Sequence, residues 1–407
     1  LTALAAGLLL AGCGEDGSSP IAPAPEAGPA GAAASRAAHG KYIVVFRDDV
    51  RDVPGLANAL VRQHGGSLVA VYQHALRGFG ASLPPAAVEA LARNPQVAYV
   101  EPEIILTGSC SSYISSTPQC GAPWGLDRVD ARNVQDGVYD QFFGNGAGVN
   151  VYVLDSGIRF SHAEFGGRAV SGYDFVSNDS DASDCFGHGT QVAGNIGGAT
   201  YGVAKSVQLV SVRVLDCSNG GSSLGVVSGI DWVTANHAKP AVANMSLGGS
   251  VSTAIDAAVR RSISAGITYV VAAGNSNISA CNVSPARVGE AVTVGASNSS
   301  DARWVTSSTS ASNFGTCLDM FAPGQNTTSA AHTGDTDTRV NTGTSFASPH
   351  AAGAAALLLA NYPSYTPAQV QANLKQNTSD GYLSNIGTGS PNKLLYVGLF
   401  WCMTCGI

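Results

Sequence analysis

From residue 149 onward the chain alternates short apolar runs with longer helix-like stretches, and this alternation limits the fold more than any other feature. The strand-like runs are residues 149–154, 207–215, 241–245, 268–273 and 291–295, rich in Val and Ala and bounded by turn residues. Continuous apolar runs of that length suit strands buried on both faces. Helix-like stretches lie between them at 223–238 and 253–265. Strands joined through helices require crossover connections, so the expected fold is α/β, a doubly wound and mostly parallel sheet. Chemistry in such a fold belongs at the strand ends and in the loops beyond them.

Four short frames carry residues suited to chemistry, each at a strand end or a helix start. Asp155 closes the run Val151-Tyr152-Val153-Leu154 and is followed by Ser156-Gly157. His188 lies in Gly187-His188-Gly189-Thr190 and opens a small-residue helix. Val270-Val271-Ala272-Ala273-Gly274-Asn275 reads as a buried strand that ends by presenting an amide. Ser345 stands in Gly343-Thr344-Ser345-Phe346-Ala347-Ser348-Pro349-His350, directly ahead of the apolar stretch 351–359. At the mouth of a helix, unpaired N–H groups and the positive end of the dipole favour negative charge. A serine there, beside a base, can attack a carbonyl and have the oxyanion held by the same backbone. The frames therefore supply an acid (Asp155), a base (His188), a nucleophile (Ser345) and a second oxyanion donor (Asn275). Taken singly, a Gly-Thr-Ser serine is a helix cap and Gly-His-Gly a turn. Four frames in one chain order make coincidence a poor account. His162, in Ser161-His162-Ala163-Glu164-Phe165, reads as loop packing, and His350, a turn beyond Ser345, as structural.

The order Asp, His, Ser and the four frames resemble the subtilisin-like serine proteases. Trp124-Gly125-Leu126-Asp127-Arg128 and Leu318-Asp319-Met320-Phe321-Ala322-Pro323-Gly324 are most similar to the proteinase K-like branch, and the resemblance spans residues 108–400. Phe346 departs from the methionine that often follows the serine, and Gln191 from the histidine that often follows Gly-His-Gly-Thr. Neither departure removes a catalytic group.

The resemblance implies peptide-bond hydrolysis through an acyl-enzyme, with no catalytic metal or organic cofactor. Polypeptide substrate is expected between two edges, Gly220-Gly221-Ser222 and Ser246-Leu247-Gly248-Gly249, adding as a strand through main-chain hydrogen bonds. The presumed wall of the pocket for the residue before the scissile bond, Ala272-Ala273-Gly274, has no charge and no bulk, so apolar side chains are expected there. Structural calcium is implied at Asp319 with the carbonyls of Gly289 and Ala291, since oxygen ligands suit a hard cation. Asp174 with Asp179, and Asp127 with Asp130 and Asp136, are further candidate calcium loops, the alternative being solvated acidic loops, which the second set favours. Disulfides Cys185–Cys217 and Cys281–Cys317 follow from the resemblance. Local proximity suggests Cys110–Cys120 and Cys402–Cys405. A zinc site using Cys185 and His188 would consume the base and lacks further ligands.

Residues 41–105 read as β-α-β-β-α-β, with strands at 42–46, 67–76, 78–83 and 97–101 and helices at 55–64 and 85–93. Arg77-Gly78-Phe79-Gly80-Ala81 and Val97-Ala98-Tyr99-Val100-Glu101-Pro102 resemble the inhibitory propeptide of the same family. An unrelated ferredoxin-like module has the same pattern, but its place directly before Trp124-Gly125-Leu126-Asp127 favours the propeptide. The expected division is 1–13 signal peptide, 14–40 disordered linker, 41–107 inhibitory propeptide and 108–401 peptidase domain, acting as a monomer. A permanently self-inhibited binding protein is the rival reading.

The apolar stretch 1–10 reads as the interior of a signal peptide. Leu10-Ala11-Gly12-Cys13 looks like a lipoprotein box with Cys13 as lipid acceptor, the alternative being an ordinary signal with an incidental cysteine. Residues 14–40, rich in Ala, Pro and Gly, read as a tether. Of the 9 cysteines, those beyond Cys13 form an even set suited to an oxidising, extracellular setting. Processing between Ile105 and Cys110 would separate a lipid at Cys13 from the enzyme. With 12% charged residues, a net charge of −7 and no basic run, nucleic acid is not an expected partner.

Overall fold

The computed structural model describes residues 40–103, 118–132, 135–141 and 144–398. Cys13, Cys110, Cys402, Cys405, the processing region and the lipid and linker expectations lie outside them. The chain divides into two compact units, Leu1–Ser109 and Cys110–Ile407.

In the first unit, strands β1 (Lys41–Phe46), β2 (Ser67–Tyr72), β3 (Gly78–Ser82) and β4 (Val97–Pro102) form an antiparallel sheet in the order β2-β3-β1-β4. Helices α1 (Val53–Gln63) and α2 (Pro85–Ala92) complete the β-α-β-β-α-β order. Asp52 caps α1 by accepting from Gly55 N–H (2.9 Å), and Val53, Ala57, Leu60 and Val61 form its buried stripe. That stripe meets Val44, Phe46, Phe79 and Leu91 in the unit's core.

The second unit opens with a ribbon of β5 (Gln119–Cys120) and β6 (Val138–Tyr139) around helix α3 (Trp124–Asp130). Then follow β7 (Asn150–Asp155), β8 (Ala169–Asp174), α4 (His188–Gly197), β9 (Gln208–Arg213), α5 (Ser223–Asn236), β10 (Ala241–Met245), α6 (Thr253–Ser264), β11 (Thr268–Ala272) and β12 (Val292–Ser297). The remaining elements are β13 (Met320–Pro323), the hairpin β14 (Thr327–Ala330) and β15 (Thr338–Asn341), α7 (Thr344–Asn361), α8 (Pro367–Gln376), β16 (Thr378–Asp380) and β17 (Lys393–Leu395).

Nine strands form one sheet in the order β16-β17-β13-β12-β11-β10-β7-β9-β8, parallel throughout except for the β16–β17 pair. The five strand-like runs occupy its middle, and their Val and Ala side chains are buried. Helix α7 is apolar all round: from Phe346 to Leu359 every residue is buried, as expected of a helix through the core. Helices α5 and α6 pack on the opposite face around Ile230, Val233 and Val259. Edge strand β8 escapes the apolar-run reading because Ser171 and Gly172 interrupt it. Short β13, β16 and β17 carry too few residues to show a period.

Two disulfides are described, Cys185–Cys217 and Cys281–Cys317. No described helix is long and apolar enough to cross a membrane.

Candidate active site

The topology gathers Asp155, His188, Asn275 and Ser345 from four elements. Asp155 is the last residue of central β7 and is fully buried. His188 is the first residue of α4, and its Nδ1 lies 2.7 Å from Asp155 Oδ1. The same Oδ1 accepts from Ser156 N–H at 2.8 Å. A carboxylate at Nδ1 places the imidazole proton there, leaving Nε2 as the basic atom. Gly189 lets α4 come this close, since a Cβ at that position would collide with the Gly157 carbonyl. Burial pulls the His188 pKa down most strongly, but the charge and hydrogen bond of Asp155 and the charge of Asp184 together hold it above the ordinary histidine value.

Ser345 is the second residue of α7, so its N–H is among the first-turn donors that no helical carbonyl can satisfy. Its hydroxyl donates to the Ser246 carbonyl at 3.0 Å. The Ser246 hydroxyl in turn donates to the Ser345 carbonyl at 2.8 Å and receives Asn244 Nδ2 at 2.9 Å. Beside it, Asn275 Oδ1 accepts from Thr344 N–H (2.9 Å) and Thr344 Oγ1 (2.8 Å). With the oxygen tied down, the amide nitrogen is left to face the cleft. Gly274, at φ +98°, makes the turn that brings Asn275 there.

His188, Ser345 and Asn275 line a cleft of about 750 Å³. Of the expected substrate edges, Gly221, Ser246, Leu247, Gly248, Gly249, Ala272 and Gly274 line it. Three expected residues do not. Gly220 spends its N–H and carbonyl on Asp216, Ser222 caps α5 by accepting from Gly225 N–H, and Ala273 is fully buried in the sheet. Among the described residues, no charged or titratable side chain other than His188 lines the cleft. His188 and Ser345 also line a smaller recess of about 260 Å³, together with Phe186, Arg339, Asn341, Thr342 and Phe346.

The two departures from the family pattern have structural roles. Phe346 sets its ring 5.4 Å from the His188 ring at 59°. Gln191, fully buried, accepts from Asn341 Nδ2 (2.6 Å) and donates to the Arg339 carbonyl (3.0 Å), which fastens α4 to the β14–β15 hairpin. His162 accepts from Glu164 N–H and pairs with the Asp337 carbonyl, and His350 donates to the Phe346 carbonyl, so both serve packing. Burial pushes the His350 pKa down to about 4, which keeps the ring neutral.

Asp184 was passed over by the sequence reading. Its carboxylate accepts from Phe186, Gly187 and Thr190 N–H groups and from the Ser156 and Thr190 hydroxyls, at 2.5–3.0 Å. It thus fixes the turn that delivers His188. The available signal was an acidic residue in the loop just upstream of the Gly187-His188 helix start.

The acidic residues expected to hold calcium differ in their surroundings. Among the described residues no group of three or more His, Cys, Asp or Glu side chains is gathered to hold a metal. Asp174 is buried against Arg213 (2.7 Å), so its charge is already neutralised, and Asp179 instead accepts from Asp181 N–H. Asp319 is paired with Lys375 Nζ at 2.7 Å, and Gln371 Nε2 takes the carbonyls of Gly289 and Ala291. Those oxygens do not fit an ion. Asp130 feels the charges of Asp127, Asp136 and Asp140, and among the described residues Arg128 makes its ion pair with Asp301. Burial, then the neighbouring carboxylates, push the Asp130 pKa up to about 8.

A buried acid, a histidine of fixed tautomer, a helix-mouth serine and an aimed amide define a serine peptidase. Comparison with known proteins agrees. Residues 146–393 match the Subtilase family and residues 41–107 match Peptidase inhibitor I9. The chain is 46% identical to an extracellular serine proteinase of Thermus sp. (strain Rt41A), over 96% of each chain. It is 51% identical to alkaline serine exoprotease A of Vibrio alginolyticus, over 80% of this chain and 59% of that one. A crystal structure of a cold adapted subtilisin-like serine proteinase matches with TM-score 0.65 and 52% identity, covering 68% of this chain and 98% of that one. The chain belongs to the subtilase family and carries an I9-type inhibitor propeptide ahead of its peptidase domain.

Proposed function

We propose that this chain is an extracellular endopeptidase in which Ser345 is the nucleophile. The observation that carries the reading is the 2.7 Å contact of His188 Nδ1 with buried Asp155, which leaves Nε2 basic on a cleft that Ser345 also lines. Ser345 Oγ leaves the Ser246 carbonyl, gives its proton to His188 and attacks the scissile carbonyl. Asp155 stabilises the imidazolium, and His188 then protonates the departing amine. Asn275 Nδ2 and the Ser345 N–H hold the oxyanion. Water attacks the acyl-enzyme with His188 again as base.

The uncharged cleft supports an apolar residue before the scissile bond, and the absence of an acidic wall argues against selection of Lys or Arg. Beyond the bond, Arg339 gives the recess a positive charge. It is exposed, and among the described residues its guanidinium has no carboxylate partner, unlike Arg128, Arg159 and Arg213. We assign it a preference for acidic residues on the leaving-group side. We propose structural calcium at Asp127, Asp130 and Asp136, a reading supported by the mutual charge repulsion felt at Asp130; chelation should lower the melting temperature, and Asp130→Asn should remove that dependence. Turnover of a chromogenic peptide by the purified mature protein tests the main reading. Absence of turnover would leave the permanently self-inhibited binding protein.

A further inference from the structure

Helix α8 carries Gln371 and Lys375 one turn apart, so both side chains leave the same face of the helix. The helix is anchored by a capping box: Thr366 accepts from Gln369 N–H while the Gln369 side chain accepts from Thr366 N–H. This face lies against the corner where β12 begins and β13 is about to begin. Lys375 Nζ sits 2.7 Å from Asp319 Oδ1. Gln371 Nε2 lies 2.9 Å from the Gly289 carbonyl, 2.9 Å from the Ala291 carbonyl and 3.3 Å from Asp319 Oδ2. Thr293 N–H also donates to Asp319 Oδ2, at 2.9 Å.

We propose that Gln371 and Lys375 together form a built-in cation that occupies the place of a calcium ion at this corner. The geometry separates the two jobs an ion would do. The amide nitrogen gathers the two carbonyls and the carboxylate around one point, as a coordination centre does, and the ammonium supplies the charge that the carboxylate requires. Calcium draws its oxygen ligands to about 2.3–2.6 Å, whereas these oxygens stand at amide hydrogen-bond distances, as in an N–H···O set. An ion could enter only by displacing a side chain already satisfied on both of its donors. The consequence is functional. This corner stays tied to α8 in the presence of chelators, and its contribution to stability does not vary with calcium concentration.

The test uses the full chain carrying Ser345→Ala, so that self-digestion does not interfere. Bound calcium is counted by equilibrium dialysis, and melting is followed in millimolar calcium and in EDTA. Asp319→Asn should leave the number of bound ions unchanged and lower the melting temperature by the same few degrees in both conditions. Loss of one bound ion, or a melting loss seen only in calcium, overturns the proposal. The double variant Gln371→Ala/Lys375→Ala frees the oxygens, and should bind one ion more than its parent and melt lower in EDTA than in calcium by a margin the parent lacks. A double variant with the parent's ion count and the parent's melting temperature in EDTA would show that the two side chains hold nothing, and would equally overturn it.

Discussion

Asp155 and Asp319 are both buried carboxylates at the ends of the same parallel sheet, yet their surroundings were not equally readable. The partners of Asp155 are set by backbone geometry. Ser156 N–H follows it directly, and His188 comes from a Gly-His-Gly turn in which Gly187, at φ +107°, makes the bend and Gly189 permits the close approach. Asp319 has a frame just as distinctive, but its cation comes from Lys375, on a helix with an ordinary polar face. A short frame specifies a backbone path and the side chain it delivers. It says nothing of a long, flexible side chain that arrives from elsewhere. Glycines beside Asp155 and His188 made the pair legible, whereas only three dimensions show the partner of Asp319.

The largest effect expected on the catalytic side of this comparison is from Ser345→Ala. The variant should fold and remain an unprocessed precursor with no peptidase activity, as seen by gel and peptide assay. Normal processing would remove Ser345 as nucleophile and dissolve the contrast. Next comes Asn275→Ala, which should lower kcat by about 10²–10³-fold, the size established for the corresponding asparagine of a subtilisin, with little change in KM. An equal loss in substrate affinity would mean that Asn275 binds ground state and transition state alike.

The fold was legible where strands are central. The runs at 241–245 and 268–273 reappear almost residue for residue as β10 and β11, because strands buried on both faces are uniformly apolar. Edge strand β8 and the three-residue β16 and β17 were not, since exposure and brevity remove the pattern. In the site, the triad and Asn275 were read from their frames. Gly220 and Ser222 do not line the cleft, and a glycine-rich loop does not reveal which of its groups are already used by Asp216 or by a helix cap. Asp184 was missed because a carboxylate before a helix start looks like any cap.

Asp184→Asn sharpens the same contrast at smaller amplitude. His188 must be neutral to accept the serine proton, so kcat/KM rises with pH through its pKa. That pKa is held above the ordinary value, with Asp184 among the charges raising it. Removing the charge while keeping an acceptor should move the acidic limb of the profile to lower pH, with a loss of kcat smaller than that of Asn275→Ala. A limb that does not move would reduce Asp184 to a turn-former with no electrostatic part in the site.

The smallest effect belongs to Arg339, a long side chain on a polar rim and therefore the catalytic-side counterpart of Lys375. Its backbone is fixed, because Gln191 holds the Arg339 carbonyl and β15 pairs with β14 through Ser329. Its guanidinium is exposed, so any attraction to a substrate carboxylate acts through water and is screened. Exposed pairs of that kind are worth about 0.2–1 kcal/mol, or up to about fivefold in kcat/KM. Matched peptides that differ only by Glu or Gln just after the scissile bond should be cleaved with a preference of that size for Glu. Arg339→Gln should abolish the preference and Arg339→Glu should reverse it. Raising the salt concentration should flatten it in the wild type. Peptide anilides, which end at the scissile bond, should scarcely distinguish the variants. A Glu preference that survives Arg339→Glu would place the selective charge elsewhere in the cleft, and would show that position on a rim, without a bound partner, is too little to assign specificity.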